Sequence, residues 1–190
     1  MRAALAAALL ALSGCAREGP AVTLKTSMGD IKFVLYDKTA PRTSANFLAL
    51  AKGEKEWLDP RDGKRKRAPL YDGLTFHRVV PSFYIQTGDP AGDGSGDVGF
   101  AIEDEKGALG RFDRAGLVGM ANFGPNSGAS QFFITLSPQP DLDGKHAIFG
   151  EVVSGLDVAK AIASVPRDES FGRDKPLRAV YLERVVVEGR

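Results

Sequence analysis

The chain has 190 residues, enough for one domain with a substantial core. Hydrophobic residues make up 43% and charged ones 26%, and Lys+Arg (25) nearly balances Asp+Glu (24), which argues against an electrostatic nucleic-acid or polyanion binder. The 22 glycines and 11 prolines favour turns and short strands over long helices.

The first segment, MRAALAAALLALSGC, sets Arg2 before an apolar run from Ala3 to Leu12. That run is too short to span a bilayer but suits the hydrophobic region of a signal peptide over 1–14. Leu12-Ser13-Gly14-Cys15 resembles the lipobox of bacterial lipoproteins, in which the cysteine becomes the first mature residue and carries lipid. The bland alternative is a secreted protein with an incidental cysteine. Cys15 is the only cysteine, so no intramolecular disulfide forms. Ala16, where a retention signal would have Asp, leans by analogy towards the outer membrane if the source is a diderm bacterium. The tether 15–21 reaches about 20 Å when extended, so a periplasm-facing domain lying close to the membrane is expected.

Past the tether, VTLKTSMGDIKFVLY (22–36) reads as a hairpin. Val22/Leu24 and Ile31/Phe33/Leu35 alternate with polar residues around a Met28-Gly29-Asp30 turn. A helix is predicted from about Pro41 to Lys52, with Phe47, Leu50 and Ala51 on one face and Gly53 as its stop. Residues 53–70 are polar and turn-rich and read as a surface insertion. Lys64-Arg65-Lys66-Arg67 within them reads as a solvated loop, because no aromatic residues interleave with the charges. Strands are predicted over 74–80, 83–88, 98–102, 116–120, 131–136 and 147–152. A second helix follows in SGLDVAKAIASVP, with Ser154 and Asp157 as a capping box, and RAVYLERVVVEG forms a last strand. Many short strands with one early and one late helix indicate an antiparallel barrel or sandwich in one domain, 22–190.

Several chemistries are set aside. Gly94-x-Gly96-x-x-Gly99 matches a dinucleotide fingerprint as a string, but no helical pattern follows it. Asp89, Asp93 and Asp97 lack the spacing of a calcium loop. Two histidines, His77 and His146, make a zinc site improbable, and no Gly-x-Ser-x-Gly is present. No metal, cofactor or nucleophile is therefore expected. One oddity remains: Arg78 stands inside the apolar stretch FHRVVPSFYIQTGD (76–89). It is either a surface cation on a solvated strand face or the reactive group of a pocket. Local pattern alone would make Phe83 and Phe133 core residues.

Three segments together resemble the cyclophilin family: FHRVVPSFYIQTGD, GLVGMANFGPNSGASQFFIT (116–135) and LDGKHAIFGEV (142–152). The similarity covers roughly residues 22–188. It implies an all-β fold, a closed eight-stranded antiparallel barrel capped by two α-helices. It also implies peptidyl-prolyl cis–trans isomerase activity on proline-containing polypeptides, without a cofactor. By resemblance Arg78 is the catalytic residue. Phe83, Tyr84, Phe133 and Leu142 wall a proline pocket with His146 at its rim. Gln86, Asn122 and Gln131 supply polar contacts, and Ala121 gives access to the backbone. Strand alternation sets Tyr84 and Gln86 on one face and Phe83 and Ile85 on the other, so Phe83 must enter the pocket from the irregular start of its strand.

The sequence departs from the family at three positions. Asp141 stands where many animal cyclophilins have Trp, which speaks against tight cyclosporin binding more than against isomerase activity. Tyr84 stands where Met is common, and Thr87 replaces a common glycine. The leading expectation is a monomeric, lipid-anchored isomerase acting on exported proteins. A non-catalytic proline-peptide module or holdase is the alternative, with the 53–70 insertion as partner surface. A structural envelope lipoprotein on the same scaffold is the third.

Overall fold

A computed structural model describes residues 19–170 and 173–188. The expected signal peptide and Cys15 lie outside the described residues. In chain order the strands are β1 (Ala21–Thr26), β2 (Gly29–Leu35), β3 (Trp57–Asp59), β4 (Lys64–Lys66), β5 (Leu74–Thr75), β6 (Arg78–Val80), β7 (Tyr84–Thr87), β8 (Leu117–Met120), β9 (Phe132–Thr135), β10 (Ile148–Ser154), β11 (Arg167–Asp168), β12 (Lys175–Pro176) and β13 (Tyr181–Val187). The helices are α1 (Pro41–Ala51) and α2 (Leu156–Ala163).

Nine strands form one curled antiparallel sheet in the order β5-β13-β1-β2-β10-β8-β9-β7-β6. Its outermost strands, β5 and β6, are separated in the chain only by Phe76 and His77. The sheet thus comes round on itself through the covalent chain, not through a hydrogen-bonded pair. The β1–β2 hairpin forms in the expected register, with Leu24 opposite Ile31 and Val22 opposite Phe33. The inward alternation buries Ile31, Phe33 and Leu35 completely. Helix α1 plugs one mouth of the curl with Phe47. Its ring meets Phe33 edge-on at 5.7 Å, stacks on Tyr71 at 4.9 Å and meets Phe132 edge-on at 5.4 Å.

No side chain of the N-cap residue Ala40 caps α1. The buried Glu105 carboxylate does so from 63 residues beyond Arg42. It accepts the Arg42 N–H at 2.7 Å, the Thr43 N–H at 2.8 Å and the Thr43 hydroxyl at 2.6 Å. A negative charge there also meets the positive end of the helix.

Three local expectations are corrected. Residues 53–70 are not simply a solvated loop: β3 and β4 pair as a hairpin, Trp57 opposite Lys66. The hairpin packs Trp57 inward and folds around Asp59, which is fully buried. Asp59 accepts hydrogen bonds from Arg61 Nε and Nη2 at 2.8 and 2.6 Å and from Lys66 Nζ at 2.5 Å. Arg61 and Lys66 are thereby spent on one buried carboxylate, while Lys64, Arg65 and Arg67 stay exposed as expected. The strand expected at 98–102 is reduced to a single bridge, Ile102 to Gly128. The Ser154–Asp157 capping box does not form. Ser154 ends β10, and the N-cap of α2 is Gly155, with φ +82° and no side-chain cap. Glycine is required there because a Cβ would sit 2.1 Å from the Asp30 carbonyl oxygen.

Candidate active site

Register assembles the site. Arg78 of β6 lies opposite Gln86 of β7, Gln86 lies opposite Phe133 of β9, and Phe133 lies opposite Gly119 of β8. Residues directly opposed across antiparallel strands project to the same side, so Arg78, Gln86 and Phe133 form one row. The neighbouring row, Val79, Ile85, Ile134 and Val118, is buried in the main core. The odd cation of the apolar stretch thus lies on the outer face of its strand, over a second hydrophobic cluster and not in solvent alone.

That cluster is built on Tyr84, Phe112, Leu117, Phe133 and Ile148, with Phe83, Ala121 and Leu142 packed against it. Phe133 is its centre. Its ring lies 5.3 Å from Tyr84, 5.5 Å from Phe112 and 5.3 Å, edge-on, from His146. Gly119 makes this possible: a Cβ at that position would fall 2.3 Å from Phe133 Cζ. Phe83 reaches the cluster as the alternation argument required. It follows a turn in which Ser82 takes φ +59°, its N–H donates to the Val80 carbonyl at 3.0 Å, and its ring lies 4.2 Å from that of Tyr84.

Arg78 is held at two points. Nη1 donates to the Tyr84 hydroxyl at 2.5 Å, and Cζ lies 5.3 Å from the Tyr84 ring centroid. Nε faces Asp174 Oδ2 at 3.6 Å. Burial pushes the Tyr84 phenol above its ordinary pKa, with the Arg78 charge opposing. The phenol is therefore neutral near pH 7.

The polar side is a narrow cleft adjoining the row. Gln86, Ala121, Asn122 and Gln131 line it together with Phe123 and Ser127. Gln86 Nε2 donates to Gln131 Oε1 at 2.9 Å, and Gln131 Nε2 donates to the Gly94 carbonyl at 3.1 Å. Asn122 Nδ2 donates to the Lys145 carbonyl at 2.8 Å, and the Ala121 N–H donates to the Gln131 carbonyl at 2.9 Å. His146 Nδ1 lies 3.0 Å from the Met120 carbonyl. A carbonyl only accepts, so Nδ1 carries the proton and Nε2 is left as an acceptor. Burial lowers the His146 pKa, which keeps the ring neutral.

Gly94 and Gly96 of the glycine string border this cleft. The buried Asp89 carboxylate accepts the N–H groups of Ala91, Asp93 and Gly94 at 2.9, 3.1 and 2.6 Å. A Cβ on Gly96 would fall 1.9 Å from Asp89 Oδ1. Four contributors escaped sequence reasoning: Phe112, Gly119, Phe123 and Asp174. A glycine inside the strand pattern GLVGM was the available signal for Gly119. Phe123, 79% exposed beside the cleft, and Asp174, immediately before β12 and far along the chain, carried no local signal.

Comparison with known proteins identifies the family. Residues 21–187 match the family model described as cyclophilin type peptidyl-prolyl cis-trans isomerase/CLD. The chain belongs to the cyclophilin family. Among its relatives is peptidyl-prolyl cis-trans isomerase B of Streptomyces anulatus, 46% identical over 88% of this chain and 96% of that one. The Arabidopsis thaliana isomerase CYP18-2 is 43% identical over 88% of this chain and 93% of that protein. The crystal structure of a Cryptosporidium parvum cyclophilin type isomerase superposes with a TM-score of 0.75 at 31% identity, covering 91% of this chain and 99% of the other. A second structure of that protein, in the presence of the dipeptide Ala-Pro, gives 0.74. In cyclophilin terms the nine residues carried over by resemblance around Arg78 fall into two adjoining groups. Phe83, Tyr84, Phe133 and Leu142 share the apolar cluster, with His146 edge-on to Phe133. Gln86, Ala121, Asn122 and Gln131 make the polar cleft, and Gln86 and Ala121 join the two.

Proposed function

We propose that this cyclophilin is a peptidyl-prolyl cis–trans isomerase in which Arg78 is the catalytic residue. The observation that carries the reading is the row Arg78–Gln86–Phe133, a cation next to an apolar wall across a single sheet face. The amide resists rotation because the nitrogen lone pair is delocalised, with a barrier of about 18–20 kcal/mol. In the twisted transition state that pair localises and becomes an acceptor. A donor aimed at the proline nitrogen is then stronger in the transition state than in the ground state, which is the condition for catalysis.

The donors can be counted. A guanidinium has five N–H groups; one on Nη1 is taken by Tyr84 and Nε–H faces Asp174. The second Nη1–H and both Nη2–H remain for the proline nitrogen and an adjacent carbonyl. Phe83, Phe133 and Leu142 bury the pyrrolidine ring, while Gln86, Asn122 and Gln131 hold the peptide backbone around it. Uncatalysed isomerisation takes about 10–100 s. Reaching about 10³ per second requires roughly 10⁴–10⁵-fold, or about 5–7 kcal/mol. That lies within the range of a charge-assisted contact combined with restricted geometry.

Cys15 as the lipidated first residue, and exported polypeptides as clients, belong to the same proposal; they rest on the signal-like sequence 1–14 and the lipobox resemblance. Asp141, in the short turn before Leu142, supports weak binding of cyclosporin by the family comparison of that position. A protease-coupled or proline-limited refolding assay tests the activity. Acceleration by the wild type and a loss of at least about tenfold in Arg78→Ala are expected. Binding of proline peptides without acceleration would instead make the protein a holdase. An acylated N-terminal Cys15 in the mass spectrum of membrane-extracted protein tests the anchor.

A further inference from the structure

We propose that Asp174 is a positioning residue for the Arg78 guanidinium, selecting which of its donors meet the substrate. This rests on the reading of Arg78 as catalytic. The Nε atom of Arg78 is shut off from solvent and has no hydrogen-bond partner among the described residues, yet it faces Asp174 Oδ2 at 3.6 Å. The contact is longer than a hydrogen bond and works as an ion pair with reduced screening, since the Asp174 side chain is only 16% exposed.

Asp174 is itself fixed from two directions. Its carbonyl accepts the N–H of Val79, the residue next to Arg78, at 2.8 Å. Its Oδ1 lies 3.4 Å from Arg167 Nε, and Arg167 Nη2 pairs with Glu169 at 2.7 Å. Arg167 belongs to β11, which pairs with β12 immediately after Asp174. The β11–β12 ribbon thus presents one carboxylate to the back of the arginine. Tyr84 takes the Nη1 side and Asp174 the Nε side, so the guanidinium is held from two directions.

Arginine is a rotamer-rich side chain, and ordering it before substrate arrives moves that entropic cost out of the catalytic step. A carboxylate behind a catalytic cation could also simply weaken its field. The two roles have opposite signs: loss of the charge lowers turnover if Asp174 positions and raises it if Asp174 damps. The structure favours positioning, because the carboxylate meets Nε, the one donor that cannot rotate away from the stem.

Two variants suit the backbone at this position. Asp174 has φ +48°, which Asn and Gly tolerate, and both retain the carbonyl that holds Val79. Asp174→Asn and Asp174→Gly are expected to lower kcat about 5–20-fold with KM within about twofold. Arg167→Ala is expected to lose less. In ¹⁵N-labelled protein the Arg78 Nε–Hε signal, assigned by its loss in Arg78→Ala, should be protected from exchange in wild type and shifted and exposed in both Asp174 variants. An active wild type, an inactive Arg78→Ala and an Asp174→Asn with unchanged or raised kcat would overturn the inference while leaving the isomerase reading intact. An inactive wild type sinks the isomerase reading. An Nε–Hε signal unaltered by Asp174→Asn overturns the positioning role whatever the activity.

Discussion

Replacing Gly119 by Ala should damage the site through packing alone. The added methyl carbon would sit 2.3, 2.7 and 2.9 Å from three carbons of the Phe133 ring. Ordinary carbon contacts begin near 3.5 Å, so the ring must retreat by about 1 Å. It has little room, since Tyr84, Phe112 and His146 enclose it at centroid distances of 5.3, 5.5 and 5.3 Å. Overpacking of this kind costs about 1–3 kcal/mol of stability. A ring displaced by about 1 Å beside the reacting bond should lower kcat/KM by about 10–100-fold. Denaturant midpoints and the isomerase assay read the two effects separately. The mechanism makes a sharper demand on the double variant. Phe133→Leu removes the clashing atoms, so adding Gly119→Ala to it should cost at least about 1 kcal/mol less stability than adding it to wild type. Additive stabilities, or a Gly119→Ala protein with activity within twofold of wild type, would refute the reasoning.

Further outcomes follow from the same geometry. Glu105→Ala removes three hydrogen bonds from the start of α1 and leaves the Thr43 hydroxyl and N–H buried; a loss of about 2–4 kcal/mol is expected in urea unfolding, with Glu105→Gln losing less. Arg61, and then Lys66, hold the Asp59 carboxyl well below the usual range against the opposing effect of burial. Because the folded value is the lower one, its stabilisation is complete above about pH 4 and is lost as pH falls towards the folded value. Asp59→Asn should therefore cost about 1–3 kcal/mol near pH 6 and progressively less below pH 4, as read from urea midpoints across pH. His146, lowered chiefly by burial, stays neutral above its ordinary range, so kcat/KM should be flat from about pH 6.5 to 8. A transition within that window that disappears in His146→Gln would contradict this protonation state.

How much was legible in the sequence depended on whether the controlling contact was local. The β1–β2 hairpin and α1 were readable because their turn residues, alternation and helical spacing lie within the segment itself. The site was readable in part. Long matching motifs supplied Arg78, Phe83, Gln86, Gln131, Phe133 and His146, but local pattern alone would have left both phenylalanines in the core. The failures all involve distant partners. Glu105 caps a helix that begins more than 60 residues earlier, which no capping rule based on neighbouring residues can detect. Ser154 and Asp157 satisfied the string of a capping box, yet Gly155 had to pass close to the Asp30 carbonyl, and that contact dictated the start of α2. Lys64, Arg65 and Arg67 are solvated as read, but Arg61 and Lys66 serve Asp59, which is buried only once β3 and β4 pair. Asp174 reaches Arg78 only because the β11–β12 ribbon returns beside β6.

The central claim is that Arg78 lowers the barrier to rotation and does not merely hold a proline peptide. Magnetisation-exchange NMR on an Ala-Pro peptide measures both in one sample: the cis–trans exchange rate on the enzyme and the bound fraction. Wild type should give exchange faster by orders of magnitude than the free peptide. Arg78→Ala, at matched bound fraction, should lose at least about tenfold of that exchange rate. Equal exchange in the two proteins at matched occupancy would contradict the account.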